Sequence, residues 1–299
     1  MLVSFRDPTT AWQGPDGRWR VIVGSKRSRR GMAILYRSKD FVHWVKSQHL
    51  LHSVENTGMW ECPDFFPVSS VDKTNVKYVL MVSLDDTKHD VYTVGQYYQE
   101  KDNENKKRIL IGWVNESDTV ENNVRRGWSG VQTIPRNLWL DNSGKQLVQW
   151  PVEQIKNLRE SQVDSTKTEL QKKSLFEIRG VKASQADVEV SFELSTLEKA
   201  EVMDPSWVNP QSSLSHDPDK TTHGAFLDVD PLQEKLSLRS LIDNSIVESF
   251  GVGGKACMTA RVYPNLAIDG AHLYVFNNGS ENVRITSLSA WTMKRAQII

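Results

Sequence analysis

Apolar and β-branched residues recur in short runs along this chain, and clusters of Gly, Asn, Asp and Lys separate them. Residues 19–24 and 32–37 are two such runs around a Gly/Ser/Arg turn, a pattern that predicts a β-hairpin. Runs at 76–83, 91–98 and 108–114 follow at similar spacing with little helical periodicity, as in sandwiches, barrels and propellers. The pattern breaks at residues 151–160, where Val152, Ile155 and Leu158 follow Pro151 at intervals of three and predict one short helix. A polar stretch over 160–173 then marks a domain boundary. Beyond it, 186–194 alternates apolar and polar, and 235–250, 256–263, 272–277 and 283–293 continue as strands of a second all-β unit, expected to be a sandwich. Residues 204–222 read as a Pro/Ser/Asp/His loop without a core.

Length and charge add limits. The 299 residues suffice for two domains, and 37 Lys plus Arg balance 37 Asp plus Glu. Zero net charge gives no reason to expect nucleic acid or an anionic membrane as partner. The basic run from Lys26 to Arg30 lies between two apolar runs and reads as a solvated loop. Ten Trp suit both sugar stacking and β cores, so their number decides nothing. Cys62 and Cys257 form no metal motif and no disulfide framework; one long-range bridge stays open, and two buried free thiols are the plainer reading. No apolar run reaches membrane-spanning length, and the first seven residues are too short and too soon charged for a signal peptide. Asn115-Glu116-Ser117 and Asn278-Gly279-Ser280 are glycosylation acceptors only in a secretory context. No metal or cofactor is expected.

Three segments hold acids in telling contexts. Trp60-Glu61-Cys62-Pro63-Asp64-Phe65-Phe66 places two carboxyl groups in an aromatic run. Desolvation there favours a protonated carboxyl, as general-acid catalysis near neutral pH requires. On composition alone, Glu61 reads equally well as a solvent-facing strand residue. In Phe5-Arg6-Asp7-Pro8-Thr9, Arg6 favours an ionised Asp7 able to accept sugar hydroxyls, although such a turn is commonly structural. Asp85-Asp86-Thr87-Lys88 ends a strand, either as an ordinary turn or as a polar rim.

These segments, together with Gly112-Trp113-Val114-Asn115-Glu116-Ser117-Asp118, the run from Arg126 to Arg136 and Ser245-Ile246-Val247-Glu248-Ser249-Phe250, resemble in order the plant acid invertases and fructan exohydrolases of glycoside hydrolase family 32. The resemblance covers most of the chain. It implies a five-bladed β-propeller over residues 1–159, incomplete and missing its first blade, followed by a shortened β-sandwich over 160–299. It also implies a retaining β-fructofuranosidase acting on sucrose or fructan, with Glu61 as acid/base and Asp7 as transition-state stabiliser. Arg6, Trp60, Cys62, Asp85, Lys88 and Trp128 are then substrate-binding positions, Asp85 with Lys88 being associated with accepting sucrose. Pro63 is similar to the cell-wall type, which implies a secreted apoplastic protein, rather than a vacuolar one, and a proteinaceous invertase inhibitor as partner.

The sequence departs from the family pattern in three places. It has no Asn-Asp-Pro-Asn-Gly motif, so the nucleophile is expected to be absent. The stretches after Tyr98 and after Trp207 are shorter than in the family. A truncated product of low or no activity is expected, as a sugar-binding or regulatory relative would be. An open propeller would also leave strand edges free to pair with other chains.

Overall fold

The computed structural model describes residues 4–73, 76–87, 89–97, 108–165, 168–194, 235–263 and 270–295. Within them the chain is built almost wholly of antiparallel β-structure and divides into two compact units. The first comprises Met1–Arg108 and Trp139–Leu147; the second comprises Ile109–Leu138 and Val148–Ile299.

The first unit is organised by the expected hairpin, Trp19–Arg27 with Arg30–Ser38. Phe5–Pro8 and Trp12–Gln13 pair with its first arm, and Trp44–Lys46 and His52–Val54 with its second, giving a six-stranded sheet. A separate three-stranded sheet contains Trp60–Ser69, Val76–Leu84 and His89–Gly95. The two sheets share a core: Ile22, Ala33 and Leu35 pack with Trp60, Leu80 and Val82. Two glycines make this contact possible. A Cβ on Gly24 would stand 2.1 Å from the Trp60 carbonyl oxygen, and one on Gly31 would stand 2.0 Å from the Trp60 indole nitrogen. Any larger residue would lift Trp60 off the sheet.

The expectation of a five-bladed propeller, even an incomplete one, is not met. A propeller repeats four-stranded sheets radially around a channel. Among the described residues the sheets have six, three, three, two, seven and two strands, none of them a four-stranded blade, and they remain open rather than closing into a propeller. The all-β class holds, because alternation along each strand sets it; radial closure depends on contacts between sheets that no strand encodes alone.

In the second unit, Arg159–Ser165, Val283–Met293, Gln185–Leu194, Leu236–Asp243, Ile246–Gly251 and Ala256–Arg261 lie side by side, with Thr168–Leu170 also paired to Val283–Met293. A two-stranded sheet, Ser174–Ile178 with Leu273–Asn277, packs against this larger sheet through Ile178, Phe176, Leu273 and Val275. Val188, Val190, Ile285 and Leu288 supply the other side of that core.

Several local expectations shift. The polar stretch at 160–173 contributes to two strands of the large sheet, Arg159–Ser165 and Thr168–Leu170. The helix after Pro151 is the 3-10 turn Glu153–Leu158. The run at 235–250 is two strands folded at Asn244, which adopts a left-handed φ of 50°. An unforeseen α-helix, Val120–Arg126, starts where the Thr119 hydroxyl accepts from the Asn122 N–H and ends at Gly127 in the left-handed region. The loop expected at 204–222 and the short stretch after Tyr98 lie outside the described residues. No helix among the described residues is long and apolar enough to cross a membrane.

Candidate active site

Two irregularities in neighbouring strands build the site. Phe5–Pro8 pairs with Trp19–Arg27, but its register slips between Arg6 and Pro8, and Asp7 takes a φ of 56°. Trp60–Ser69 pairs with Val76–Leu84, but its register slips between Glu61 and Asp64, and Cys62 takes a φ of 44°. A bulge re-aims a side chain that regular pleating would send to the other face, and left-handed backbone at a non-glycine residue costs of order 1–3 kcal/mol. Both irregular positions fall in the acid-bearing motifs.

The surrounding contacts hold these conformations. Asp7 Oδ2 accepts from the Cys62 backbone N–H at 3.1 Å and lies 3.8 Å from the Cys62 sulfur. Arg6 Nη2 forms an ion pair with Glu61 Oε1 and stands 3.8 Å from Asp85 Oδ2. Asp85 is placed by its N–H, which donates to the Met59 carbonyl at 3.1 Å as the chain turns out of the second strand. Glu61 and Asp85 thus share the Arg6 guanidinium, while Asp7, the residue next to Arg6, rests on Cys62. Their neighbours include Ser83, opposite Glu61 in the register, whose hydroxyl donates to Asp90 Oδ1 at 2.6 Å.

The second acid of the aromatic motif is perturbed by its surroundings. Asp64 keeps an exposed edge, yet the protein crowded around its carboxyl raises its pKa through desolvation, against the Phe65 N–H and the Arg108 charge. The thiol of Cys62 is likewise raised, first by desolvation and then by the Asp7 carboxylate. Glu61 is three-quarters covered and engaged with Arg6. Desolvation in this segment raises the carboxyl of Asp64, a residue that sequence reasoning left without a role.

The other sequence-derived positions are distributed as follows. Trp60 is buried, and its indole N–H donates to the Thr57 hydroxyl at 2.9 Å, so it supports the floor beneath Glu61. Cys62 is an exposed free thiol rather than a buried one, and Cys257 is partly covered. Lys88 lies outside the described residues. Trp128 belongs to the second unit, where its half-exposed ring is flanked by the guanidinium groups of Arg261 at 5.0 Å and Arg126 at 5.8 Å. Glu116 ties this cluster together, accepting from the Tyr263 hydroxyl and the Gly130 N–H, both at 2.6 Å.

Several carboxyl groups and one arginine are thus brought together by the two irregular strands. Comparison with known proteins gives the family. The glycosyl hydrolases family 32 N-terminal domain matches residues 2–107 and 98–151, and the glycosyl hydrolases family 32 C terminal matches 154–292. The chain therefore belongs to glycosyl hydrolase family 32. Its relatives are of the plant invertase and fructan exohydrolase type. An insoluble β-fructofuranosidase isoenzyme of Arabidopsis thaliana, CWINV1, is 44% identical, over 99% of this chain and 68% of its own length. A cell wall isozyme of β-fructofuranosidase from Pisum sativum is 44% identical over 89% of this chain and 65% of its own. Among solved structures, fructan 1-exohydrolase IIa from Cichorium intybus in complex with 1-kestose superimposes with a TM-score of 0.87 at 37% identity, covering 98% of this chain and 73% of that one. This chain spans about two thirds of the length of these curated relatives. The Arabidopsis alignment extends over 396 positions against 299 residues, so that relative carries internal stretches with no counterpart here.

Proposed function

We infer that this chain carries the fructose-binding and acid-bearing part of a β-fructofuranosidase or fructan exohydrolase site. The observation that supports the reading best is the pair of facing bulges, which brings Asp7 against Cys62 and Arg6 against Glu61. In this reading Glu61 protonates the leaving oxygen of a terminal β-fructosyl bond, and Asp7 accepts fructose hydroxyls and stabilises charge developing at the anomeric centre. Arg6 stands between Glu61 and Asp85. Moving its guanidinium toward Asp85 as sugar enters frees Glu61 to carry a proton. Asp85 then faces the outer sugar of sucrose or of a fructan.

Retention also needs a nucleophile opposite the acid. The 299 residues contain no Asn-Asp-Pro-Asn-Gly motif, which favours a second reading for the polypeptide as it stands: sugar binding without turnover. A cell-wall location and a proteinaceous inhibitor as partner belong to the first reading, which the insoluble and cell wall isozymes among the relatives support.

Sugar release from sucrose and inulin, measured beside fructose binding, tests both readings. Loss of a nucleophile commonly lowers rate by several orders of magnitude. Fructose binding weakened by Asp7→Asn, with negligible turnover, is expected. Cleavage that Glu61→Gln leaves untouched would remove Glu61 from the chemistry; fructose binding indifferent to Asp7→Asn would remove the sugar site altogether.

A further inference from the structure

A concavity in the first unit shares no residue with the Arg6–Glu61 site. It lies at the end of the six-stranded sheet where Trp19 pairs with Ser38 and Arg37 pairs with Val45. Its volume is about 430 Å³, and its walls carry Arg18, Arg37, Lys39 and Lys46. Only Arg18 has a carboxylate in reach, Asp16 at 3.9 Å; among the described residues, Arg37, Lys39 and Lys46 have no side-chain partner.

The one carboxylate in the wall is already committed. Asp40 Oδ1 accepts from the Ser38 hydroxyl at 3.0 Å and from the Val42 and His43 N–H groups at 2.9 and 2.8 Å. Its other oxygen meets His43 Nδ1 at 2.7 Å. That contact raises the His43 pKa. Ser47 supplies a neutral donor: its hydroxyl is buried in the wall and has no hydrogen-bond partner among the described residues. Three unpaired cations and an unused buried hydroxyl around one small space form a charge pattern that a monoanion would leave largely uncompensated. A concavity of this volume suits a small ligand better than a polymer.

We propose that this concavity binds a multivalent oxyanion, a phosphate or sulfate group, with Arg37, Lys39, Lys46 and Arg18 as charged donors and the Ser47 hydroxyl as a neutral one. The group arrives either as the free ion or as an ester on a small sugar, for which there is room beyond the cation cluster.

Titration calorimetry on the full 299-residue chain, at constant ionic strength maintained with chloride, tests this with inorganic phosphate in one arm and glucose 6-phosphate in the other. Saturable binding in at least one arm is expected. Tighter binding of the ester assigns the site to a phosphoryl group on a sugar; equal binding assigns it to the free ion. Removing two charge-assisted contacts in Arg37→Gln/Lys46→Gln should weaken binding at least tenfold. Both positions are exposed, so an unchanged thermal melt is expected for the double variant. Lys26→Gln, at the opposite end of the same hairpin, should bind as the parent does. No saturable binding in either arm, or equal loss in the Lys26 and Arg37/Lys46 variants, overturns the proposal.

Discussion

Replacing Glu248 by Ala should unfold much of the second unit's advantage over the denatured chain. Glu248 is fully buried in the Ile246–Gly251 strand. One carboxylate oxygen accepts from the Ile134 N–H at 2.7 Å; the other accepts from the Thr259 hydroxyl at 2.6 Å and pairs with Arg136 Nη2. Arg136 is itself buried, with Gln149 Oε1 and Thr259 Oγ1, each at 2.9 Å, as its other side-chain acceptors. Breaking a buried ion pair from one side costs about 3–5 kcal/mol, because the surviving charge stays desolvated. Orphaning the Ile134 N–H adds about 1–3 kcal/mol. The Gln149 and Thr259 contacts to Arg136 survive and recover part of this, so the expected loss is roughly 4 kcal/mol, against a usual total of about 5–15. Urea unfolding followed by tryptophan fluorescence is the assay, since Trp150 packs edge-on against Phe250, two residues beyond Glu248. The double variant Arg136→Met/Glu248→Leu should regain much of the loss, because no charge is then left unpaired. A loss below about 1 kcal/mol for Glu248→Ala would refute the reasoning, since it would mean that Arg136 finds water or another acceptor.

Other expected outcomes concern the thiols and acids. Burial pushes the Cys257 thiol up to about 11, so alkylation at pH 8 should modify the exposed Cys62 first and reach Cys257 only on unfolding. Asp7→Asn removes a carboxylate that raises the Cys62 thiol, and should therefore speed its alkylation by iodoacetamide; an unchanged rate would show that the two side chains are not in contact. Burial raises the Glu116 carboxyl, but the Tyr263 hydroxyl, the Gly130 N–H and Arg261 together outweigh it and leave the pKa lowered. A lowered folded-state pKa contributes stability above the ordinary glutamate value that is lost as pH falls through the folded one. Tyr263→Phe should accordingly flatten the acid limb of the melting-temperature profile. Asp64 has the opposite sign: its raised pKa makes the ionised form unfavourable in the folded chain as pH rises, so Asp64→Asn should raise the melting temperature at pH 7 and have little effect near pH 3.

Alternation of apolar and polar residues was enough to indicate an all-β chain and to locate the central hairpin, because one side of each strand must be buried. Some boundary signals were present in the sequence but unused: Thr119 and Gly127 bracket the short helix with ordinary capping chemistry. The strands at Arg159–Ser165 and Thr168–Leu170 could not be read in the same way. They are polar and largely exposed, and only their pairing with Val283–Met293, more than a hundred positions away, makes them strands. Sheet closure was beyond strand-level reading for a related reason, since it depends on how several sheets meet.

The motifs by themselves determined which residues are candidates for the chemistry: Asp7 and Glu61 stand in their segments whatever the fold, and Arg6 is covalently next to Asp7. Tertiary structure alone decided their geometry. Two register slips, each with left-handed backbone, place Asp7 on the Cys62 N–H and Arg6 on Glu61 across strands that begin 55 residues apart. It also decided that desolvation raises the Asp64 carboxyl and that Trp60, next to Glu61, is buried. Solvation and hydrogen bonding depend on what surrounds a side chain in space, and in this chain those neighbours come from other strands.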